Sequence, residues 1–531
     1  MQEFGITLDD AFVNGLRPDP RLPRNAPYAK RFDNLKPTPM GGVSRETVEY
    51  PITSPALVMD WPYPKLIRGK YVTLLCYETA VYTVDESTWA CTAIATKDYH
   101  AWAADGTISA KAITGNPSGG WHLMDFYDSW ILYNGIDTVI KTGLSSYTFT
   151  QDEITIRSGC NFKDGRVLMC GFDPGETDYG ISAWREWLAA RRGTVPEDVA
   201  TAIDAGGNLD YNWVWWSSIG GGDMLYPFGP NEYLTGDGEN GYPRIFDLWK
   251  RNETGSRPMP WKNKTRRILP LGNALVCYAI DGIGALLPVS EPSASFGSRP
   301  IVGLPADIGT PARQSMCGTE EGHIFVDQTG DIWAISPDLK AERLGFGEYI
   351  ATILSSLVIS YDPVEKDHWL SNGTSSYILT KEGRLGGPFG VVPTSLSRHT
   401  DGTLIGAADG LDDTTETVHV ETCEMDMGDR GTKHVPTLES AYSGLTAVST
   451  RVGYKYDSPT AIAYTPWQQV NLNGTSFPNA SFVDGTVSIK GTRDVADIGT
   501  IERIGARVQY EDKRFRRGPK PGRKSAAEET A

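Results

Sequence analysis

The residue types that could carry catalytic or metal chemistry are scattered along this sequence rather than grouped in motifs. Metal sites and nucleophilic catalysis need His, Cys, Asp or Glu at defined spacings, or a nucleophile beside a base. The sequence has no His-Glu-x-x-His, no Gly-x-Ser-x-Gly and no Walker-type phosphate loop, and its seven histidines are well separated. We therefore predict no catalytic residues and no metal ligands, and expect that the protein is not an enzyme.

One glycine-rich segment matches the dinucleotide-binding pattern Gly-x-Gly-x-x-Gly, through Gly236, Gly238 and Gly241. That pattern binds a cofactor only between a strand and a helix of a βαβ unit, where the helix N-terminus meets the pyrophosphate. Here the segment follows PFGPNEYL and precedes YPRIFDLW, with no βαβ pattern around it. We predict no cofactor.

Three acidic turns could bind calcium or belong to a carbohydrate-active protein. DPGETDYG (173–180) and DGLDDTTE (409–416) lack the alternating oxygen ligands and the final bidentate Glu of a calcium loop, so we interpret them as polar turns. The turn from Asp327 to Trp333 is similar to the Asp-box of sialidases, but its Asp-to-Gly spacing is one residue longer. A glycoside-hydrolysing or glycan-binding propeller is therefore an alternative, although a pair of catalytic carboxylates cannot be seen in a sequence.

Charge and cysteine content constrain the partners and the compartment. The formal net charge is −16, whereas proteins that bind nucleic acid tightly are usually basic. The seven cysteines are odd in number and form no Cys-x-x-Cys pair, which favours reduced thiols and folding in a cytoplasm. The first residues lack a secretory signal, and no apolar stretch is long enough to span a membrane.

The elements that must position these residues are short strands. Apolar runs recur on both sides of Asx-Gly turns, for example at Asn134-Gly135, Asp164-Gly165 and Asp281-Gly282. Such turns are strong hairpin signals because their central residues need positive φ. Units about 40–50 residues long suit four-stranded propeller blades. We predict an all-β fold, with a degenerate six- or seven-bladed β-propeller-like domain over residues 61–430.

The other parts of the chain differ in composition from the repeats. Residues 1–60 are Pro-rich and predict an extended arm, which either wraps its own chain or docks on a neighbouring subunit. Residues 174–262 interrupt the repeats with helical patterns and predict a small helical insertion, either a cap over one blade or an interaction surface. Residues 431–512 predict a C-terminal antiparallel β-sandwich. Residues 513–531 form a basic tail that we expect to be disordered, or to contact an acidic partner or nucleic acid.

Three segments give a resemblance to a known family: ETCEMDMGDRGTKHVPTLESAYSG (421–444), WVWWSSIGGGDMLYPF and GHIFVDQTGDIWAIS. Together with the order of arm, blades and sandwich, they resemble the tail nozzle proteins of short-tailed phages, also called packaged-DNA stabilisation proteins. The resemblance brings no catalytic residues. It implies a homohexamer below the adaptor (head-to-tail connector) ring, with tail fibres or a tail needle attached around it.

The same resemblance implies a structural protein of the virion tail, made in the host cytoplasm, which retains packaged DNA and forms the channel for its ejection. Genomic DNA would pass through the lumen without sequence-specific binding. An acidic lumen would suit this role because it repels phosphate. A cellular propeller scaffold is a third possibility, and a propeller fold alone is compatible with all three.

Overall fold

The computed structural model describes seventeen stretches of the chain: residues 3–7, 12–22, 26–55, 60–102, 108–110, 112–117, 120–126, 129–141, 148–151, 156–162, 165–170, 212–216, 255–291, 294–407, 415–425, 432–456 and 461–510. They form two compact units. Unit 1 comprises Met1–Thr47, Ser376–Val391 and Asp412–Ala531, and unit 2 comprises Val48–Ser375 and Val392–Leu411.

Unit 1 begins with four short strands: β1 (Glu3–Thr7), β2 (Ala29–Asp33), β3 (Leu35–Thr38) and β4 (Gly41–Ser44). Unit 2 follows with two sheets. The first consists of β5 (Lys65–Arg68), β6 (Thr73–Cys76), β7 (Val81–Asp85) and β8 (Ala90–Ala93). The second consists of β9 (Thr96–Trp102), β10 (Ile108–Ala110), β11 (His122–Phe126), β12 (Ser129–Tyr133), β13 (Thr138–Lys141) and β14 (Thr148–Gln151).

Three four-stranded sheets come next: β15 (Ser158–Asn161), β16 (Val167–Cys170), β17 (Trp213–Trp216) and β18 (Gly255–Pro258); β19 (Thr265–Leu271), β20 (Ala274–Ala279), β21 (Ile283–Glu291) and β22 (Ala294–Pro300); and β23 (Met316–Gly318), β24 (His323–Val326), β25 (Ile332–Ile335) and β26 (Ala341–Gly345). A helical turn, α1 (Gly347–Ile350), and a 3-10 helix (Ala351–Ser356) then lead to β27 (Val358–Asp362) and β28 (Asp367–Ser371).

The chain then returns to unit 1 for β29 (Ser376–Leu379) and β30 (Leu385–Phe389), and to unit 2 for β31 (Leu396–Arg398) and β32 (Leu404–Gly406). The remaining strands belong to unit 1: β33 (Thr415–Thr422), β34 (Lys433–Ser443), β35 (Thr446–Lys455), β36 (Ala463–Tyr464), β37 (Gln468–Gln469), β38 (Thr475–Ser476), β39 (Ala480–Phe482), β40 (Asp484–Asp494) and β41 (Thr500–Tyr510).

Unit 2 has the strand order of a β-propeller. Four of its sheets are antiparallel meanders in chain order, and the second sheet contains the meander β11-β12-β13-β14 with β9 and β10 added beside β14. The first strands of successive sheets lie next to one another, in the order β11, β15, β19, β23, β27, β31 and β5. The backbone N–H of Lys70 donates to Asp125 at 2.9 Å and links the β5 sheet to the β11 sheet. The described strands therefore form seven blades, which confirms the predicted all-β, propeller-like fold.

The blades pack face to face through large apolar side chains. The rings of Trp216 and Phe296, on the third and fourth sheets, lie 5.2 Å apart. The rings of Tyr278 and Phe325, on the fourth and fifth sheets, lie 5.8 Å apart. These side chains are almost fully buried, so the core of unit 2 is a series of layers between neighbouring blades.

The Asn134-Gly135 turn is typical of the hairpins that the sequence predicts. Gly135 has a φ of 92°, which an L side chain rarely adopts. The side-chain oxygen of Asn134 accepts hydrogen bonds from the N–H groups of Ile136 and Asp137, and its side-chain nitrogen donates to the Asp137 carboxylate at 2.8 Å. This network fixes the link between β12 and β13.

Unit 1 is a two-sheet sandwich. One sheet has the order β3-β4-β41-β34-β38, with β1 also paired to β41 and β39 to β34. In the other, β29-β30-β2-β33-β40-β35-β36 are consecutive, with β37 also paired to β35. From β33 to β41 the chain passes repeatedly between the sheets, and a Cβ on Gly42 would approach within 2.9 Å of the Phe32 ring on the opposite sheet. This is the predicted antiparallel sandwich, with more strands than its C-terminal segment supplies.

The observed boundaries differ from the predicted 1–60, 61–430 and 431–512. Strands β1 to β4 lie in the predicted arm, yet they pair within the sandwich, because β41 and β33 offer edges that they complete. Glu49 pairs with Ile405 and so adds the start of unit 2 to its last blade. β33 belongs to unit 1, which places the change of unit near residue 412.

The predicted insertion over residues 174–262 lies mostly outside the described residues, and so do both of its predicted helices. The described residues within it include strands β17 and β18. These two strands pair with each other, and β17 pairs with β16, so they complete the third blade. The basic tail over residues 513–531 also lies outside the described residues.

Candidate functional site

The candidate site is a cavity at the centre of the propeller. Its volume is about 490 Å³, and its lining comes from the first strands β5, β11, β15, β19, β27 and β31, with further residues from their flanks. Because six blades contribute their first strands to this place, small changes in those strands alter one shared cavity. The centre of a closed or concave β architecture is also a common place for a ligand.

The cavity lining includes two buried cations, Lys65 and Arg267. Lys65 is 6 % exposed, and its Nζ donates to the side-chain oxygen of Gln314. Arg267 Nη1 donates to the carbonyl of Met316 at 2.7 Å. Within the described ranges no carboxylate lies at ion-pair distance from Lys65 or Arg267. Burial, followed by the charges of Arg267 and Arg313, lowers the pKa of Lys65 to about 7.

His122 lies in the same cationic surroundings. Burial, followed by the charges of Arg267, Arg313 and Lys65, lowers its pKa well below the usual 6.5, so the imidazole is neutral at pH 7. Its Nε2 atom has no hydrogen-bond partner in the described part of the chain. A neutral imidazole among positive charges is a poor general acid at neutral pH.

Asp125 is the single carboxylate among the described residues that line this cavity. Its Oδ2 atom accepts the N–H of Lys70, and its Oδ1 atom has no hydrogen-bond partner among the residues described. Glycoside hydrolysis ordinarily uses two carboxylates, one on each side of the bond that breaks. The described lining thus lacks the acid–base pair that the carbohydrate-hydrolysing alternative requires.

Asp327, the residue of the Asp-box-like turn, has a structural environment. Its Oδ1 atom accepts the N–H and hydroxyl of Thr329 at 2.8 and 2.7 Å and the N–H of Asp331 at 3.1 Å. Its Oδ2 atom accepts the indole N–H of Trp333 at 2.9 Å. All of these partners lie in the β24–β25 turn or just after it, so the carboxylate holds the turn together.

The other motifs do not assemble into a site in the part of the chain that is described. Gly236 to Gly241 and the turn 173–180 lie outside the described residues, as does most of the turn 409–416. Glu416, the last residue of that turn, is buried and ion-paired with Arg45 and Arg493. No group of three His, Cys, Asp or Glu side chains suited to a metal ion is present among the described residues.

All seven cysteines are free thiols, and four are buried: Cys76, Cys160, Cys170 and Cys277. Burial raises the pKa of each of these thiols, to about 12 for Cys170. A thiol needs its thiolate form to act as a nucleophile, so these four side chains serve as small apolar core residues.

Sequence reasoning missed Lys65, His122, Arg267 and Gln314, which line or flank the cavity. A weak signal was present, because the first strands of three repeats each carry a basic residue. These strands lie in the segments PKLIRG, WHLMDF and TRRILPL. The pattern becomes meaningful only when those strands are known to face one cavity, because alternation alone does not identify an inner strand.

The segment 421–444, which carries the family resemblance, connects the two sheets of unit 1. It runs from the end of β33 in one sheet to β34 in the other. Two of its described charged side chains are engaged within the unit: Glu421 contacts Arg451 at 3.4 Å and accepts the Tyr464 hydroxyl at 2.8 Å, and buried Lys433 donates to the carbonyl of Val483 at 2.7 Å. These roles are structural.

Comparisons with known proteins find similarity to solved structures. No protein-family profile and no curated protein matches the chain. The WD40 domain of Neurospora crassa Pan2 is similar over 69 % of this chain and 88 % of that chain, with 7 % identity and a TM-score of 0.33. PorZ, a surface component of the type-IX secretion system of Porphyromonas gingivalis, is similar over 68 % of this chain and 36 % of its own, with 9 % identity and a TM-score of 0.30. The fold assignment rests on strand order and not on these similarities.

Among the described residues, no helix combines the length and the apolar character that crossing a membrane requires.

Proposed function

We propose that this protein is a ring-forming structural component of a short-tailed phage tail, a nozzle or hub below the adaptor ring that retains packaged DNA and provides the channel for its ejection. The observation that carries the proposal is the segment 421–444. It resembles the corresponding phrase of nozzle proteins, and it forms the crossover between the two sheets of unit 1.

The composition of the central cavity supports a structural role over glycoside hydrolysis. Its described lining offers Lys65, His122 and Arg267 but a single carboxylate, Asp125. The net charge of −16 must then arise mostly from acidic residues away from this cavity. Acidic surfaces facing an assembly channel would let DNA slide without tight binding, because they repel phosphate.

Electron microscopy of the purified full chain, alone and mixed with its adaptor ring, tests the proposal. We expect six-fold rings with an axial channel, and mass photometry should give six chains per ring. Mass spectrometry of purified virions should find the protein in tails. A chain that stays monomeric alone and with the adaptor, and is absent from virions, would overturn the proposal.

A glycan array and a glycoside hydrolysis screen distinguish the proposed tail function from the carbohydrate-active alternative. A structural tail component gives no hydrolysis, with or without the adaptor. Hydrolysis of a defined glycan, abolished by Asp125→Asn but not by Asp401→Asn on the surface of the same unit, would instead establish the carbohydrate-active function.

A further inference from the structure

A second cavity in unit 2 has an unusually basic lining. Its volume is about 650 Å³, which is in the range of small-ligand sites. Four cationic side chains line it, together with amide, hydroxyl and apolar groups and no Asp or Glu from the described residues: Arg157, Lys264, Arg266 and Arg313. This site is distinct in its lining from the central cavity described above, and it does not depend on the proposed tail function.

Arg313 is the most informative of the four side chains. Its Nη1 atom donates to the carbonyl of Asn134, and its guanidinium lies 5.7 Å from the centroid of the Tyr133 ring. Its Nε and Nη2 atoms are buried and have no hydrogen-bond partner among the described residues. Buried N–H groups are nearly always satisfied in folded proteins, so two orphaned donors on one guanidinium point to an acceptor that binds there.

Arg266 is held in place beside the same cavity. Its Nη1 atom donates to the carbonyls of Thr310, at 3.3 Å, and Pro311. Burial lowers the pKa of Arg266, and the charge of Arg157 lowers it further. Burial also lowers the pKa of Arg313 to about 10, and the charges of Arg267 and Arg157 act in the same direction. The cations therefore repel one another, and an anion in the cavity would relieve that repulsion.

The number of cations favours one class of anion. A single carboxylate carries one negative charge, whereas a phosphate or pyrophosphate carries two or more and presents several acceptor oxygens in a compact group. Arginine forks match such oxygens in pairs, and the side chains of Asn116, Asn263 and Ser355 in the lining add polar groups. Asp281, which follows the lining residue Ile280, accepts the backbone N–H groups of Lys262 and Asn263.

We propose that this cavity is a binding site for a small multivalent phosphate ligand, of the pyrophosphate or phosphate-ester class, with Arg313 and Arg266 as its principal contacts. A small ligand is favoured over a nucleic-acid strand because the cationic groups converge on one compact cavity rather than following a surface track.

Calorimetric titration of the full chain with pyrophosphate tests the proposal, with chloride at matched ionic strength as the reference. We expect saturable one-site binding, weaker binding of orthophosphate, and a rise in melting temperature that follows ligand concentration. Arg313→Gln should weaken pyrophosphate binding at least tenfold. Arg266→Gln, at a half-buried position, provides a second variant should R313Q fold poorly, and it should also weaken binding.

Arg343→Gln is the matched control, since Arg343 is an exposed cation of the same unit, ion-paired with Asp331. It should bind pyrophosphate as the unmodified chain does. The proposal is overturned if pyrophosphate does not bind, or if R313Q and R266Q both bind it with unchanged affinity. It is also overturned if a short single-stranded oligonucleotide binds through these arginines while pyrophosphate does not, because the site would then serve nucleic acid.

Discussion

Arg45 and Glu416 are 371 residues apart in the sequence, and Arg45 Nη2 donates to Glu416 Oε1 at 2.6 Å in the interior of unit 1. Arg493 approaches the other carboxylate oxygen, with Nε and Nη2 at 3.0 and 2.8 Å. All three side chains are at most 6 % exposed. One carboxylate thus joins the N-terminal segment to β33 and β40.

Glu416→Gln should strongly destabilise unit 1. The substitution removes the carboxylate charge that two buried guanidinium groups share, and breaking a buried ion pair in this way costs about 3–5 kcal/mol. Urea denaturation of the full chain, followed by hydrogen exchange in β33 and β40, measures the loss. Glu439→Gln removes a pair with Arg507 in which both side chains are about half exposed, so it should cost less than about 1 kcal/mol. Equal effects of the two substitutions would contradict the buried arrangement.

Asp327→Ala should loosen the turn between β24 and β25. The change removes the acceptor of the Trp333 indole N–H and of the Thr329 and Asp331 N–H groups, and an orphaned buried donor costs about 1–3 kcal/mol. Faster hydrogen exchange at these groups, with a lower urea midpoint for unit 2, is the expected result. Asp401→Ala removes an exposed turn carboxylate that accepts the Thr403 N–H and should have a much smaller effect. Unchanged exchange at the Trp333 indole would count against this role.

The hairpins of unit 2 were predictable because their signal is local. The turns at Asn134-Gly135 and Gly330 are determined by a glycine with positive φ and by side-chain acceptors within three or four residues. The propeller follows from the repetition of such hairpins, and both the blades and the sandwich were predicted in kind.

The partners of the N-terminal strands could not be predicted. The pairing of β1 with β41 joins residues about five hundred positions apart. The prolines of residues 1–60 gave that segment the composition of an extended arm. The central and basic cavities depend likewise on which strands are innermost. Arg267 and Arg313 are ordinary basic residues in the sequence, and only their burial without carboxylates distinguishes them.

Acidification should destabilise the protein between pH 6.5 and 4 through buried neutral histidines. Burial lowers the pKa of His323 and His368 to about 4 and that of His419 to about 3. Above pH 6.5 these imidazoles are neutral in both states. As the pH falls, the unfolded chain binds protons that the folded chain does not, so the free energy of unfolding decreases until the folded pKa is reached.

His323 gives the clearest test of this pH dependence, because its surroundings are fully defined. Its Nε2–H donates to the carbonyl of Pro270 at 3.0 Å and its Nδ1 atom accepts the Tyr278 hydroxyl at 2.8 Å. A lowering from 6.5 to about 4 corresponds to about 3 kcal/mol. Between pH 6.5 and pH 4, the free energy of unfolding of unit 2 should therefore fall by about 3 kcal/mol less in His323→Gln than in the unmodified chain, as measured by urea denaturation. An unaltered slope would show that His323 is accessible to protons in the folded state.

Lys65→Met should stabilise unit 2 at pH 7. Burial lowers the pKa of Lys65 from 10.5 to about 7, so the folded state disfavours the ammonium that the unfolded chain carries. For a group with a depressed pKa, stability is complete above the unfolded value and decreases as the pH falls towards the folded one. The difference corresponds to about 4 kcal/mol at pH 7. Loss of the hydrogen bond to Gln314 and of its packing offsets about half of this, which leaves a gain of about 2 kcal/mol.

The pH dependence of that gain separates relief of charge burial from better packing. Urea midpoints of unit 2 at pH 7 and pH 9.5 should show a smaller advantage of K65M at the higher pH, because the unmodified lysine loses its penalty as the unfolded chain approaches its own pKa. Lys70→Met, at a side chain exposed to solvent, should leave both midpoints unchanged. If K65M is instead less stable at both pH values, Lys65 carries a compensated charge in the folded protein, and the cationic character of the central cavity must be satisfied by an anion that remains bound.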